Sequence, residues 1–109
     1  LEGSRGRRLG ADDLARTIAG ATLLSRTVYG DPCTVEIRDG GQLVGRAGFE
    51  DEDCDQGEWW VEGGLFCRRW RSWCYGEVGR YIPVIDGTQI KWFNPEGRLI
   101  DAVAIRLRA

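Results

Sequence analysis

The chain has 109 residues, a length that suits one domain with a modest core. Fifteen Lys and Arg against seventeen Asp and Glu give a net charge of -2, so no overall basic field is available to hold a nucleic acid or an acidic membrane surface. The sequence contains no histidine, which excludes catalytic triads and mixed metal sites built on that residue. No segment is apolar enough to predict a transmembrane helix.

The first predicted elements are a basic lead and one short helix. Residues 1–10 are rich in Gly and Arg and are predicted to form a flexible lead, and residues 11–109 are predicted to form the single domain. In GADDLARTIAG, Leu14 and Ile18 share one helical face, and two aspartates in the first turn favour a helix amino end. These features predict a helix over residues 11–19.

After Tyr29 the sequence changes to alternating apolar and polar residues, which is typical of β-strands. CTVEIR and LVGRAGF are predicted to form one hairpin through the turn DGGQ, and GEWWVE and LFCRRW a second one through Gly63 and Gly64. Further strands are predicted at residues 73–77, 80–85, 89–93 and 99–107.

This succession of short strands and tight turns predicts a mainly β fold with one short N-terminal helix. We expect an antiparallel meander of seven or eight strands that forms a small barrel or a strongly curved sheet. The helix is expected either to plug one end of the barrel or to cover the sheet. Closure of the barrel would remove exposed strand edges, which otherwise promote association.

The four cysteines, an even number in a short chain, favour disulfide bonds over a zinc site. The gaps between them are uneven and no CxxC pair occurs, which disfavours zinc. Three pairings are possible, and the predicted hairpins favour Cys33 with Cys54 and Cys67 with Cys74. Because the chain also lacks methionine, we expect that a secretory signal peptide was removed before Leu1.

The order of motifs resembles that of a family of small exported proteobacterial domains of unknown function. The likeness rests on a short helix, GDPCTVEIRDGGQLVGRAG, GEWWVEGGLFCRRW, a following cysteine and DGTQIKWFNPEGRLIDA, and it covers most of residues 11–105. The resemblance implies a periplasmic or secreted location and a β-rich fold. It implies no activity, and no catalytic residue is carried over from it.

The stretch GLFCRRWRSWCYG concentrates tryptophan and arginine around a predicted hairpin tip. One interpretation is structural, with tryptophan rings in the core and guanidinium groups stacked on exposed rings. The functional interpretation is a platform for an acidic partner, a sugar or a carboxylate ligand. Its predicted partner-binding residues are Arg69, Trp70, Arg71 and Trp73.

The segment DEDCDQGEWWVE carries acidic residues at the spacing of a calcium loop. Asp51, Asp53, Asp55 and Glu62 occupy its first, third, fifth and twelfth places. Gln56 stands where such a loop has its turn glycine, and strands rather than helices are predicted on both sides. A solvated acidic turn is therefore expected, with a weak calcium site as the alternative. No other metal and no cofactor is predicted.

The leading functional hypothesis is a non-enzymatic exported domain that acts as an accessory module and binds a protein partner or an envelope ligand. The alternative is a lipocalin-like carrier that holds a small apolar ligand inside the barrel. An enzyme ranks third, since serine and cysteine lack a histidine base.

The two leading hypotheses place different tryptophans on the surface. An interior ligand needs a cavity, and its expected lining is Trp59, Val61, Ile90 and Trp92. A protein-binding module instead leaves an exposed patch that includes Trp70, Trp73 or Phe93.

Overall fold

The structure of the protein is a computed structural model, and it describes residues 6–108. Within these residues the helix α1 spans Ala11–Ile18, and a 3-10 turn spans Trp73–Gly76. The strands are β1 (Arg7–Arg8), β2 (Thr22–Arg26), β3 (Pro32–Arg38), β4 (Gln42–Ala47), β5 (Asp53–Glu62), β6 (Leu65–Trp70), β7 (Val78–Asp86), β8 (Gln89–Phe93) and β9 (Leu99–Arg106).

Eight of these strands form a closed antiparallel barrel. Strands β2 to β7 pair in chain order, β9 pairs with β2, and β8 pairs with both β9 and β7, which closes the ring. The short strand β1 pairs with β7 outside the ring. The mainly β meander and the barrel expected from the sequence are confirmed.

Antiparallel order places successive connections at alternate ends of the barrel. One end carries the tight turns between β3 and β4, between β5 and β6, and between β7 and β8. The other end carries longer connections, and we call it the mouth. These mouth connections are residues 27–31, 48–52, 71–77 and 94–98.

Helix α1 closes the end of the barrel opposite the mouth. Leu14 and Ile18 are fully buried in the same cluster as Ile37. Ile37 is the second-last residue of β3 and precedes the tight turn to β4. The backbone N–H of Gly20 donates to the carbonyl of Ile37 at 2.7 Å, which fixes the chain after the helix onto the barrel. The helix predicted over residues 11–19 is confirmed to within one residue.

The core is built from alternate residues of the strands, as the pleat requires. Trp59, Phe66 and Trp92 stack in its centre, with ring centroids 5.9 Å and 5.0 Å apart. The indole N–H of Trp59 donates to the carbonyl of Arg38 at 2.7 Å, so this large side chain is buried without losing its hydrogen bond. Of the four residues expected to line an interior cavity, Trp59, Ile90 and Trp92 are buried and Val61 is half-buried, and only Trp92 lines the cavity described below.

The ordered domain begins earlier in the chain than residue 11. Arg7–Arg8 pair with β7, and the adjoining Leu9 is fully buried. The backbone N–H of Leu9 donates to the carbonyl of Pro83 at 3.1 Å. Residues 1–5 of the predicted lead lie outside the described residues. The described part of the chain has no helix with the length and apolarity needed to cross a lipid bilayer.

The strand predicted at residues 73–77 is wrong. These residues form the 3-10 turn and its exit, and Cys74 and Tyr75 have φ values of 54° and 57°. Positive φ angles are incompatible with a strand and uncommon for side-chain-bearing residues. Strand β6 instead pairs with β5 and β7, and residues 71–77 form a connection at the mouth.

Candidate ligand-binding site

The barrel contains a cavity of about 220 Å³. Aromatic rings form much of its wall, and they come from Phe66, Trp70, Tyr81 and Trp92. A concave, mostly apolar site with a few polar groups is the usual form of a small-molecule site. The barrel interior is therefore the candidate functional site of this domain.

The cavity is apolar at its floor and more polar toward the mouth. Ile37 and Leu43 line the floor, next to the end that α1 closes. Ser25 and Asp101 line it near the mouth, where Asp101 is exposed to solvent and its Oδ1 accepts the N–H of Ala102 at 2.9 Å. This gradient suits a ligand whose apolar part enters first.

Arg68 is the one cationic side chain among the described residues that line the cavity. Its Nη2 donates to the hydroxyl of Tyr81 at 2.6 Å, and its guanidinium carbon lies 5.2 Å from the centroid of the Tyr81 ring. A guanidinium so close to an aromatic ring gains a favourable cation–π contact. The two side chains therefore form one polar unit on the cavity wall.

Gly79 makes room for this pair. It lies opposite Arg68 in the register of β6 and β7, and a Cβ at residue 79 would lie 2.7 Å from the hydroxyl oxygen of Tyr81. Because the glycine has no side chain, the Tyr81 ring can lie along β7 toward the mouth and reach Arg68. The absence of a side chain at Gly79 thus allows Tyr81 and Arg68 to form the polar unit.

The other terminal nitrogen of Arg68 has no partner. Nη1 is buried and forms no hydrogen bond to any described residue. Nor does Arg68 form an ion pair within residues 6–108. A buried donor without an acceptor costs free energy, and a charged one costs more. A residue of the cavity wall thus carries an unsatisfied cationic donor.

The predicted platform of Arg69, Trp70, Arg71 and Trp73 is divided between the interior and the surface. Trp70 is 5% exposed and lines the cavity, so the prediction that it protrudes at a hairpin tip is wrong. Trp73 is half-buried and packs on Trp70 with ring centroids 4.8 Å apart. Arg69 and Arg71 are exposed. A partner-binding role for these residues stays a prediction.

Asp55 anchors the connection that carries Trp73. Its Oδ2 accepts the backbone N–H of Ser72 at 2.9 Å and that of Trp73 at 2.8 Å. Burial by itself would raise the pKa of Asp55, but hydrogen bonds from these backbone groups and from Gln56 outweigh it, and the pKa lies below the usual range. The nearby Asp53 accepts the indole N–H of Trp73 at 3.1 Å.

The acidic residues of the calcium-like segment do not converge on one point. Asp53 and Asp55 hold the loop at the mouth, whereas Glu62 lies seven residues from Asp55 at the other end of β5, about 23 Å away along an extended strand. Asp51 lies in the connection before β5. Within residues 6–108 no group of three Cys, Asp or Glu side chains is placed to hold a metal ion.

The predicted disulfide bonds are not formed. No two sulfurs of the four cysteines, all in the described part of the chain, lie at bonding distance. In the register of β3, β4 and β5, Cys33 is aligned with Asp53, so Cys54 lies on the opposite face of the sheet. Cys67 is fully buried beside Arg80 in the register of β6 and β7, and Cys74 is exposed in the 3-10 turn.

The sequence contained a signal for the polar unit that the prediction did not use. Phe66, Arg68 and Trp70 alternate on one face of β6, and two of the three are large aromatic residues. An arginine between two aromatic residues on one strand face is expected to be interior when the strand belongs to a barrel. Tyr81 carries no comparable local signal.

Comparisons with protein-family models, with curated proteins and with solved structures find no match to this chain. The resemblance to an exported proteobacterial family therefore stays a prediction, and the function is argued from the geometry of the barrel alone.

Proposed function

We propose that this domain binds a small, largely apolar molecule inside its barrel, as a lipocalin-like carrier does. The observation that carries the proposal is the cavity of about 220 Å³, which has an aromatic wall and a floor closed by α1. The burial of Trp70 also supports it, because this tryptophan faces the cavity instead of an external partner.

The size of the cavity limits the ligand. Sites for drug-sized molecules usually have volumes of about 300–1,000 Å³. A cavity of about 220 Å³ suits a smaller molecule, such as one with a single aromatic ring or a medium-length alkyl chain. The ligand enters from the mouth, where the connections are longest.

Tryptophan fluorescence tests this proposal directly. Trp70 and Trp92 line the cavity, so binding of 1-decanol should change their emission in a saturable way. Val35→Phe should abolish the change by filling the cavity, whereas Thr34→Phe, on the outer face of the same strand, should leave it intact. Equal responses in both variants, or no saturable response in the unmodified protein, would contradict the proposal.

A second candidate function is association with a protein partner at the mouth. Three aromatic side chains on the mouth connections are more than three-quarters exposed: Tyr29 (87%), Phe49 (77%) and Tyr75 (95%). Exposed aromatic residues grouped at one end favour recognition. Replacement of all three by serine should abolish capture of a partner from an envelope extract while the melting temperature is retained.

The second candidate function includes a periplasmic or secreted location for the domain. The family resemblance supports this location. Fusion of the full-length coding sequence to a reporter active only outside the cytoplasm tests it. Reporter activity at the level of a cytoplasmic control would contradict export.

A further inference from the structure

We infer that the ligand of the barrel carries a carboxylate and that this group binds Arg68. The inference rests on the proposed function and specifies its ligand as a small carboxylic acid with an apolar body. It starts from the buried Nη1 of Arg68, which has no hydrogen-bond partner within the described residues.

The two terminal nitrogens of the Arg68 guanidinium differ in their hydrogen bonding. Nη2 donates to the hydroxyl of Tyr81, whereas Nη1 is buried and has no hydrogen-bond partner among the described residues, although Arg68 itself lines the cavity. The Tyr81 hydroxyl accepts from Arg68 and retains its own proton, which it can donate to the same anion. Two adjacent donors, one of them charged, match the two oxygens of a carboxylate.

The positive charge on the cavity wall favours a negatively charged ligand. Arg68 is a cationic side chain on the cavity wall, and the apolar walls weaken the screening of its charge. Asp101 lies at the solvent-exposed rim, where its carboxylate accepts the N–H of Ala102, and within residues 6–108 it forms no ion pair with Arg68. A cationic ligand would therefore meet an unfavourable charge, and a neutral oxygen could accept from Nη1 only in a weaker hydrogen bond without charge on the acceptor.

The position of the polar unit fixes the orientation of the ligand. Phe66 lies on the floor side of Arg68 along β6, and Trp70 lies on the mouth side. The carboxylate is held at mid-depth by Arg68 and Tyr81, and the apolar body packs against Ile37 and Phe66 below them. The bound acid is thus directed with its apolar part toward α1.

A matched pair of probes tests the inference. Decanoate and 1-decanol have alkyl chains of the same length and differ in charge, and their binding is followed by tryptophan fluorescence at neutral pH. We expect decanoate to bind about 10- to 100-fold more tightly than 1-decanol, the range for a hydrogen bond to a charged group. Arg68→Met should remove this preference and leave the affinity for 1-decanol unchanged or higher.

Two further variants separate the role of Arg68 from general effects. Arg80→Met removes a cation from the neighbouring strand on the outer face of the barrel, so it should keep the preference for decanoate. Tyr81→Phe keeps the charge of Arg68 but removes one donor, and we expect a partial loss of the preference. This second variant keeps the inference testable if Arg68→Met does not fold.

The outcomes distinguish the inference from the function on which it rests. Saturable binding of both probes with equal affinity, unaffected by Arg68→Met or Tyr81→Phe, would overturn the carboxylate and leave the carrier function standing. Binding of neither probe would overturn both. A preference for decanoate that is lost in Arg68→Met and kept in Arg80→Met would support the inference.

Discussion

The indole of Trp73 occupies the space directly over Gly45. A Cβ at residue 45 would lie 2.7 Å from Cη2 of Trp73 and 3.0 Å from Cη2 of Trp70. Gly45 lies within β4 and does not adopt a positive φ, so its lack of a side chain serves close packing and not an unusual backbone conformation. The two tryptophans can therefore pack side by side near the mouth because β4 carries a glycine there.

Gly45→Ala should displace Trp73 and destabilise the domain. We expect the free energy of unfolding to fall by about 1–3 kcal/mol, the usual cost of an overpacked core. The measurement is urea unfolding followed by tryptophan emission. Gly10→Ala is the control, because a Cβ there meets no atom of the described residues within 4 Å. Equal stability of the two variants would contradict the packing argument.

Acid should weaken the anchor formed by Asp55. Its pKa is lowered in the folded state, so its contribution to stability is present above the unfolded pKa of about 3.9 and is lost as the pH falls through the folded pKa. Asp55→Asn should cost about 1–3 kcal/mol at pH 7 and should flatten the acid limb of the stability profile. Glu96→Gln, an exposed carboxylate in a mouth connection, is the control. The idea fails if both profiles match that of the unmodified protein.

The parts of the fold that local patterns determine could be predicted. The helix followed from Leu14 and Ile18 on one face, and the β3–β4 and β5–β6 hairpins followed from alternation and glycine turns. Such signals arise within a few residues of the chain. These elements can therefore be predicted without knowledge of the tertiary structure.

The errors all depend on contacts distant in the sequence. Residues 73–77 form a turn because Asp55, about eighteen residues earlier, accepts the backbone N–H groups of Ser72 and Trp73. Arg68 is interior because pairing of β8 with β7 closes the ring around it. The anchor leaves no periodic pattern in the sequence. The alternation of Phe66, Arg68 and Trp70 shows that they share a face of β6, but only closure of the ring makes that face interior.

Trp70 and Arg71 are adjacent, but truncation of each to alanine should change the stability of the domain by very different amounts. Trp70 is buried on the cavity wall, so Trp70→Ala should destabilise the domain by about 3–5 kcal/mol. Arg71 is exposed, so Arg71→Ala should change stability by less than about 0.5 kcal/mol. Thermal unfolding of the two variants gives the comparison. A Trp70→Ala variant as stable as the unmodified protein would contradict the buried position of Trp70 and favour the exposed platform expected from the sequence.

The four thiols should differ in their rates of reaction according to their exposure. Burial raises the pKa of the Cys33 and Cys67 thiols, which lowers their thiolate fraction, whereas Cys54 and Cys74 are exposed. In the native protein we expect a disulfide-exchange reagent such as dithionitrobenzoate to modify two thiols rapidly. The half-buried Cys33 should react more slowly than these two, and the fully buried Cys67 only as fast as the barrel opens.

The same reagent added in urea without a reductant should count four thiols, since no two sulfurs are at bonding distance. Replacing Cys54 and Cys74 by serine should remove the rapid phase and leave the melting temperature nearly unchanged, because both residues are exposed. Cys67→Ser, which places a hydroxyl where a fully buried thiol lies, should instead destabilise the domain. A count below four in the unreduced, unfolded protein would show that disulfides form after all, and a bridge mapped between Cys33 and Cys54 would contradict their separation on opposite faces of the sheet.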